Sequence, residues 1–343
     1  MSAIITTLAS VFVFGLVIFI HEFGHFAAAK RNGILVNEFS IGMGPLLWSK
    51  QGKETKYSIR LLPIGGYCMM EGEEEDSDLP GSYSSASVGA RLNVVSAGAR
   101  NNILLGLAVL CLLTVFGGNI ASTTVAGFQE NATTYATGLR EKDRILSVNG
   151  SRLFIANDLF YEMMWVKDGK CDMTVIRDNK KVELEDVTFL TVANEDGTNS
   201  ISLDFYVYAE PKNPVTVIKH SVLWTLSLIR QVLRSFYQLV SGTVPLNQLS
   251  GPVGIVSAIG EAASIGWDSL LMLLAFISIN LGIMNVLPLP ALDGGKIVTL
   301  LIEGATGKKL SQKAEMIINA LGLVFLLAMM IFVTYNDISR LIK

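Results

Sequence analysis

Two histidines four residues apart, His21 and His25, enclose Glu22 in the string His21-Glu22-Phe23-Gly24-His25. Positions i and i+4 of a helix leave on one face, so both imidazoles can grip a single metal ion. Glu22, beside the first imidazole, is then a candidate general base for metal-assisted hydrolysis, the arrangement that zinc metalloproteases use. A catalytic zinc takes three protein ligands and keeps a fourth position open. Residues 30–37 offer no His, Asp or Glu, so the third ligand must come from further along the chain. Glu38 follows Gly33 in what reads as irregular chain and is the weaker candidate. Asp293 is the stronger one. It closes the string NVLPLPALDGG (residues 285–295), in which Pro288 and Pro290 interrupt an apolar segment. Broken backbone at membrane depth is tolerated where it lines a cavity, and an acid there is functional by default.

The elements that must carry these residues are membrane helices. Of 343 residues 50% are hydrophobic and only 17% charged, too apolar a balance for an ordinary soluble chain. Residues 3–20, 103–118, 269–292 and 316–335 contain no Asp, Glu, Lys, Arg or His. A span needs about 20 apolar residues, so the pattern predicts a polytopic α-helical membrane protein with four transmembrane helices in a lipid bilayer. The first block lacks a basic leader and a small-residue cleavage site, which predicts a retained helix. Lys30, Arg31, Arg91 and Arg100 flank the first connection, and Lys296, Lys308, Lys309 and Lys313 crowd the last. Both connections are therefore expected in the cytoplasm, with the N-terminus, the region between spans two and three, and the C-terminus outside. Spans one and three then run in the same direction and bring the His pair and Asp293 to similar depth. A formal charge of −3 gives no basic surface, so nucleic acid is not an expected partner. Cys68, Cys111 and Cys171 are odd in number and scattered, and form neither a metal motif nor a disulfide framework.

Four stretches follow from composition. Residues 1–120 hold the first span, a β-hairpin (45–50 and 55–62, turning at 51–54 and flanked by Gly42, Gly44, Gly65 and Gly66), an acidic Ser-rich linker at 71–87 expected to be solvated, and the second span. Residues 121–208 alternate in polarity, with turn signals such as Asn149-Gly150, and predict a small β-rich extracytoplasmic domain. Residues 209–260 begin with an apolar recurrence of three to four from Val215 to Val240, broken by Lys219, Arg230 and Arg234, which predicts an amphipathic helix at the membrane surface. Residues 261–343 hold spans three and four.

Taken together, HEFGH in the first span, NVLPLPALDGG in the third and a domain inserted between spans two and three resemble the bacterial site-2 proteases that regulate sigma factors. Gly42-Met43-Gly44-Pro45 is similar to that family's glycine-rich loop leading into a membrane-re-entrant hairpin on the cytoplasmic side, and Gly251-Pro252-Val253-Gly254-Ile255 to its GPxGI segment. The likeness covers essentially the whole chain. It implies an intramembrane Zn2+ metalloprotease of the bacterial inner membrane that hydrolyses transmembrane segments of pre-trimmed single-span proteins, such as anti-sigma factors, and sometimes remnant signal peptides. It also implies zinc ligands at His21, His25 and Asp293, the catalytic carboxylate at Glu22, and substrate handling at Asn285, Pro288, Gly42 and Gly44. Ala136-Thr137-Gly138-Leu139 and the run Asp143 to Gly150 resemble a single PDZ domain, with Lys142 where the family usually has glycine. A metal-binding transporter and a catalytically inactive binding protein on the same scaffold are the alternatives. The first gives Glu22 no role.

Overall fold

A computed structural model of the chain describes residues 3–342 except 74, 76, 167, 194–198 and 247–248. In chain order the elements are α1 (Ala3–Arg31), β1 (Val36–Gln51), β2 (Lys56–Met70), α2 (Val88–Phe116), β3 (Ile120–Phe128), α3 (Thr133–Ala136), β4 (Arg144–Val148), β5 (Ser151–Arg152) and α4 (Asn157–Met163). They continue as β6 (Lys170–Arg177), β7 (Lys180–Thr188), β8 (Leu190–Ala193), β9 (Asn199–Ser202), β10 (Phe205–Glu210), α5 (Pro214–Val240), α6 (Pro252–Ile265), α7 (Trp267–Val286), α8 (Asp293–Thr306) and α9 (Gln312–Ile342). Two units result: Met1–Val109 with Gln231–Lys343, and Leu110–Arg230.

In the first unit the uncharged runs form helices, because lipid offers the backbone no partner and only internal hydrogen bonds can satisfy it. Four of them, α1, α2 (which continues into the second unit), α7 and α9, are long and apolar enough to cross a membrane. The buried core of this unit gathers Ala28, Ile34, Val36, Phe39, Val94 and Leu300. Arg91 on α2 and Glu303 on α8 pair at 2.5 Å with little exposure, tying the cytoplasm-expected ends of these two helices together. At α6, Gly251 precedes Pro252 and the Gly254 N–H donates to the buried Asp337 of α9 at 2.8 Å. The GPxGI string therefore starts a helix, one that runs past residue 260.

The hairpin is longer than the sequence pattern suggests. Residues 42, 44, 65 and 66 lie inside its antiparallel strands, and Glu38 to Ile41 are flanked twice, by Lys56 to Ile59 and by Met69 to Gly66. Glu38 is thus not in irregular chain. It is buried in β1, accepts from Ser58 Oγ at 2.6 Å and pairs with Arg60 at 3.0 Å and Lys56 at 3.4 Å. The stretch 71–87 also departs from the solvated linker expected: Ser82 and Tyr83 are buried, and the hydroxyls of Ser82, Ser84 and Ser85 form one hydrogen-bonded cluster on the Ser77 backbone carbonyl. Tyr83 supplies the apolar anchor that composition alone hid.

The second unit is built on a sheet of order β10-β3-β4-β6-β7, with β5 on β4 and β8–β9 as a separate pair. Its core holds Val125, Leu139, Ile145, Met173, Val175 and Phe189. Asn149 and Gly150 turn with φ of 46° and 78°, as their types predict. Lys142 takes φ 68°, a left-handed conformation that glycine adopts without strain. Asp143, fully buried, receives Arg177 through two bonds of 2.8 and 2.6 Å. Asp158 on α4, also fully buried, accepts from Ser227 and pairs with Arg230 at 3.2 Å, so the first part of α5 belongs with this sheet.

Candidate metal centre

After α7 ends at Val286, Leu287 and Leu292 are extended, Ala291 is left-handed at φ 68°, and the Leu292 N–H turns back to the Leu289 carbonyl before Asp293 opens α8. The two prolines force this break by removing backbone donors. Its result is that a carboxylate from the N-terminus of α8 meets the imidazole face of α1. His21 Nε2 and His25 Nε2 are 3.2 Å apart, and each lies 3.3 Å from Asp293 Oδ2.

These spacings test whether a zinc ion fits. A tetrahedral ion bound at about 2.0–2.1 Å holds neighbouring ligand atoms about 3.3 Å apart. The three donors already stand at that separation. Asp293 Oδ2 is buried and has no hydrogen-bond partner among the described residues, and His25 Nδ1 lies 2.9 Å from the Val94 carbonyl, which fixes its ring proton there and leaves Nε2 as a lone-pair donor. Two imidazoles and a carboxylate suit zinc, and the protein leaves a side of the cluster open to a cavity of about 650 Å³.

Glu22 lines the same cavity with Tyr67, Cys68, Met69 and Met70 of β2. Among the described residues those four pair with β1 on one side only, so they form an edge of the sheet, and that edge lines the cavity of the His pair. At Gly66 a Cβ would lie 2.9 Å from the Ser40 carbonyl and 3.2 Å from Glu22 Cγ, so only glycine lets this edge approach the carboxylate. Lys296, one turn into α8, reaches Glu73 at 2.7 Å across the cavity. Burial works against its ammonium, but the carboxylates of Glu73, Asp293 and Glu315, Glu73 foremost, together outweigh this and hold the lysine above its ordinary pKa.

His21, Glu22, His25 and Asp293 therefore share one cavity. Asn285, buried in the last turn of α7, Pro288 in the break, and Gly42 and Gly44 within β1 are not among the residues that line it. Glu38 has both carboxylate oxygens engaged inside the hairpin. Sequence reasoning missed the Glu73–Lys296 pair; an acidic stretch without its own cations, set against a lysine just after Asp293, is the signal that could have found it.

The model of peptidase family M50 matches residues 9–329. The chain belongs to peptidase family M50. It is 36% identical over 332 residues, 96% of each chain, to a Clostridium acetobutylicum protein bearing the name of a zinc metalloprotease. A Fusobacterium nucleatum protein with the same designation is 32% identical over 344 residues, 98% of this chain and 99% of its own. The regulator of sigma-W protease RasP of Bacillus subtilis is 29% identical over 418 residues, 98% and 99% of the two chains. That alignment is longer than this 343-residue chain, so RasP carries inserted sequence that this M50 member lacks. Family membership and the four apolar helices make the protein a membrane-embedded zinc metalloprotease of the site-2 type.

Proposed function

We propose that this M50 protease cleaves the transmembrane segments of single-span proteins already shortened outside the membrane, anti-sigma factors and remnant signal peptides being the fitting classes. His21, His25 and Asp293 hold the zinc in this reading, and Glu22 is the base. The observation that carries it is three donor atoms at 3.2–3.3 Å beside Glu22, in a cavity walled by an apolar strand edge. Zinc, when bound, acidifies a water and polarises a carbonyl. Glu22 accepts the proton of the attacking water and returns it to the leaving amine, since its carboxylate faces the same cavity. A helical substrate must first unwind, because its carbonyls are engaged in its own hydrogen bonds. The free edge at Tyr67 to Met70 offers an extended segment backbone partners in the manner of β-addition.

Exposed Ile41, Met43, Leu46, Leu47, Trp48, Leu61 and Leu62 support a hairpin that dips into lipid, with Gly42 and Gly44 at its bend. In the same reading Asn285 and Pro288 handle substrate where α7 ends, and the 121–208 domain is a single PDZ domain outside the cell membrane, as are both termini. RasP is named for sigma-W regulation, which supports the anti-sigma class. The test compares membrane proteomes of cells carrying the native chain and Glu22→Gln. Trimmed single-span proteins should accumulate in the variant; a proteome unchanged by the substitution refutes the proposed substrate class. Purified Glu22→Gln should keep its zinc while losing about 10²–10⁴-fold in peptide cleavage.

A further inference from the structure

Helix α2 passes the His pair with three residues at a spacing of four, Val94, Gly98 and Asn102, which share one face. They meet the histidines in reverse order. Val94 O lies 2.9 Å from His25 Nδ1, and Asn102 Nδ2 lies 3.4 Å from His21 Nδ1. Between them, a Cβ on Gly98 would stand 2.4 Å from His25 Nε2 and 2.6 Å from His21 Cε1, so no larger residue lets α2 come this close.

An imidazole that offers Nε2 to a metal carries its proton on Nδ1, and that proton needs an acceptor. For His25 the Val94 carbonyl is the acceptor. For His21 the group set against Nδ1 is the Asn102 amide, whose Oδ1 is buried and, in this orientation, has no hydrogen-bond partner among the described residues. The two ends of an amide are nearly isosteric, so a half-turn about its last torsion brings that oxygen to Nδ1–H, pairing the two, while the amide NH2 moves to the oxygen's former place. We infer that Asn102 is a positioning residue of the metal site, accepting the Nδ1–H of His21 through its side-chain oxygen and so holding Nε2 toward the metal. Ser278 Oγ donates to the Asn102 backbone carbonyl at 2.8 Å, which ties the same turn of α2 to α7, the helix that leads into the break before Asp293.

The inference rests on His21 being a ligand, and the experiment separates the two. In the full-length purified chain, zinc affinity is measured by competition with a chromophoric chelator for the native protein, His21→Ala, Asn102→Leu and Asn102→Asp. Leucine keeps the volume without an acceptor; aspartate keeps the acceptor oxygen. Asn102→Leu should weaken zinc about 10–100-fold, while Asn102→Asp binds at the native level or tighter and restores the visible spectrum of the cobalt-loaded site. A purely structural asparagine would not be rescued in that way. Asn102→Ala, which also lacks an acceptor, replaces the leucine variant if the latter does not fold. Native affinity in the variant without an acceptor, or an aspartate variant as weak as leucine, overturns the inference. Undiminished zinc in His21→Ala overturns the ligand reading instead.

Discussion

Replacing Asp293 by alanine tests the part of the site that spacing alone did not dictate. Its Oδ2 stands 3.3 Å from both imidazole nitrogens, closing a triangle whose third side is 3.2 Å. Four-ligand protein sites bind zinc with about 10–16 kcal/mol, or about 2.5–4 kcal/mol for each ligand. Losing one of three protein ligands should therefore weaken binding by roughly 10²–10³-fold at about 1.4 kcal/mol per decade. Asp293 also lies in the first turn of α8, where its charge favours the helix by about 0.3–1 kcal/mol. That smaller loss is not enough to unfold the chain, so the zinc defect should appear in a protein with native helix content. The assay is chelator competition on detergent-purified protein, with circular dichroism as the control for folding. Asp293→Asn, which keeps the shape and loses the charge, should fall between alanine and native. A folded Asp293→Ala protein that holds zinc within threefold of the native affinity would refute the assignment and return the search for the third ligand to other residues.

Glu38→Gln should bind zinc like the native chain and melt at a lower temperature, because Glu38 is engaged by Ser58, Arg60 and Lys56 within the hairpin; a loss of zinc in a folded variant would reinstate it as a ligand. The orientation is checked by introducing cysteines at exposed Asn179 and exposed Lys53, in a chain with Cys111→Ala. Cys68 and Cys171 are buried, and burial pushes the Cys171 thiol up to about 12, so it stays protonated and silent. An impermeant thiol reagent on intact cells should label the Asn179→Cys chain and spare the Lys53→Cys chain, and the reverse pattern inverts the proposed topology.

What could be read in advance was whatever one element encodes by itself. His21 and His25 line one cavity because helical periodicity converts a spacing of four into a shared face, and the four uncharged runs reach helices because lipid leaves the backbone no other partner. Asn149-Gly150 turns for the equally local reason that its residue types tolerate positive φ. Contacts made across long separations left no such trace. Glu38 meets Ser58 and Arg60 across 20 and 22 residues of hairpin, and Asp337 takes the Gly254 N–H from 83 residues away. Neither pairing has a period or a composition to announce it. The same limit divides the metal centre. Its four chemical residues could be named from residue type and the cost of an acid at membrane depth, but the Val94 carbonyl, Gly98 and Asn102 act through the way α2 faces α1, and Glu73 through a segment whose acidic composition resembles a solvated linker. The proposed ligands carry chemistry that few residue types can supply. Their supports need only a carbonyl, a missing side chain or an amide in the right place, which almost any sequence could provide, so those roles exist only once the helices are packed.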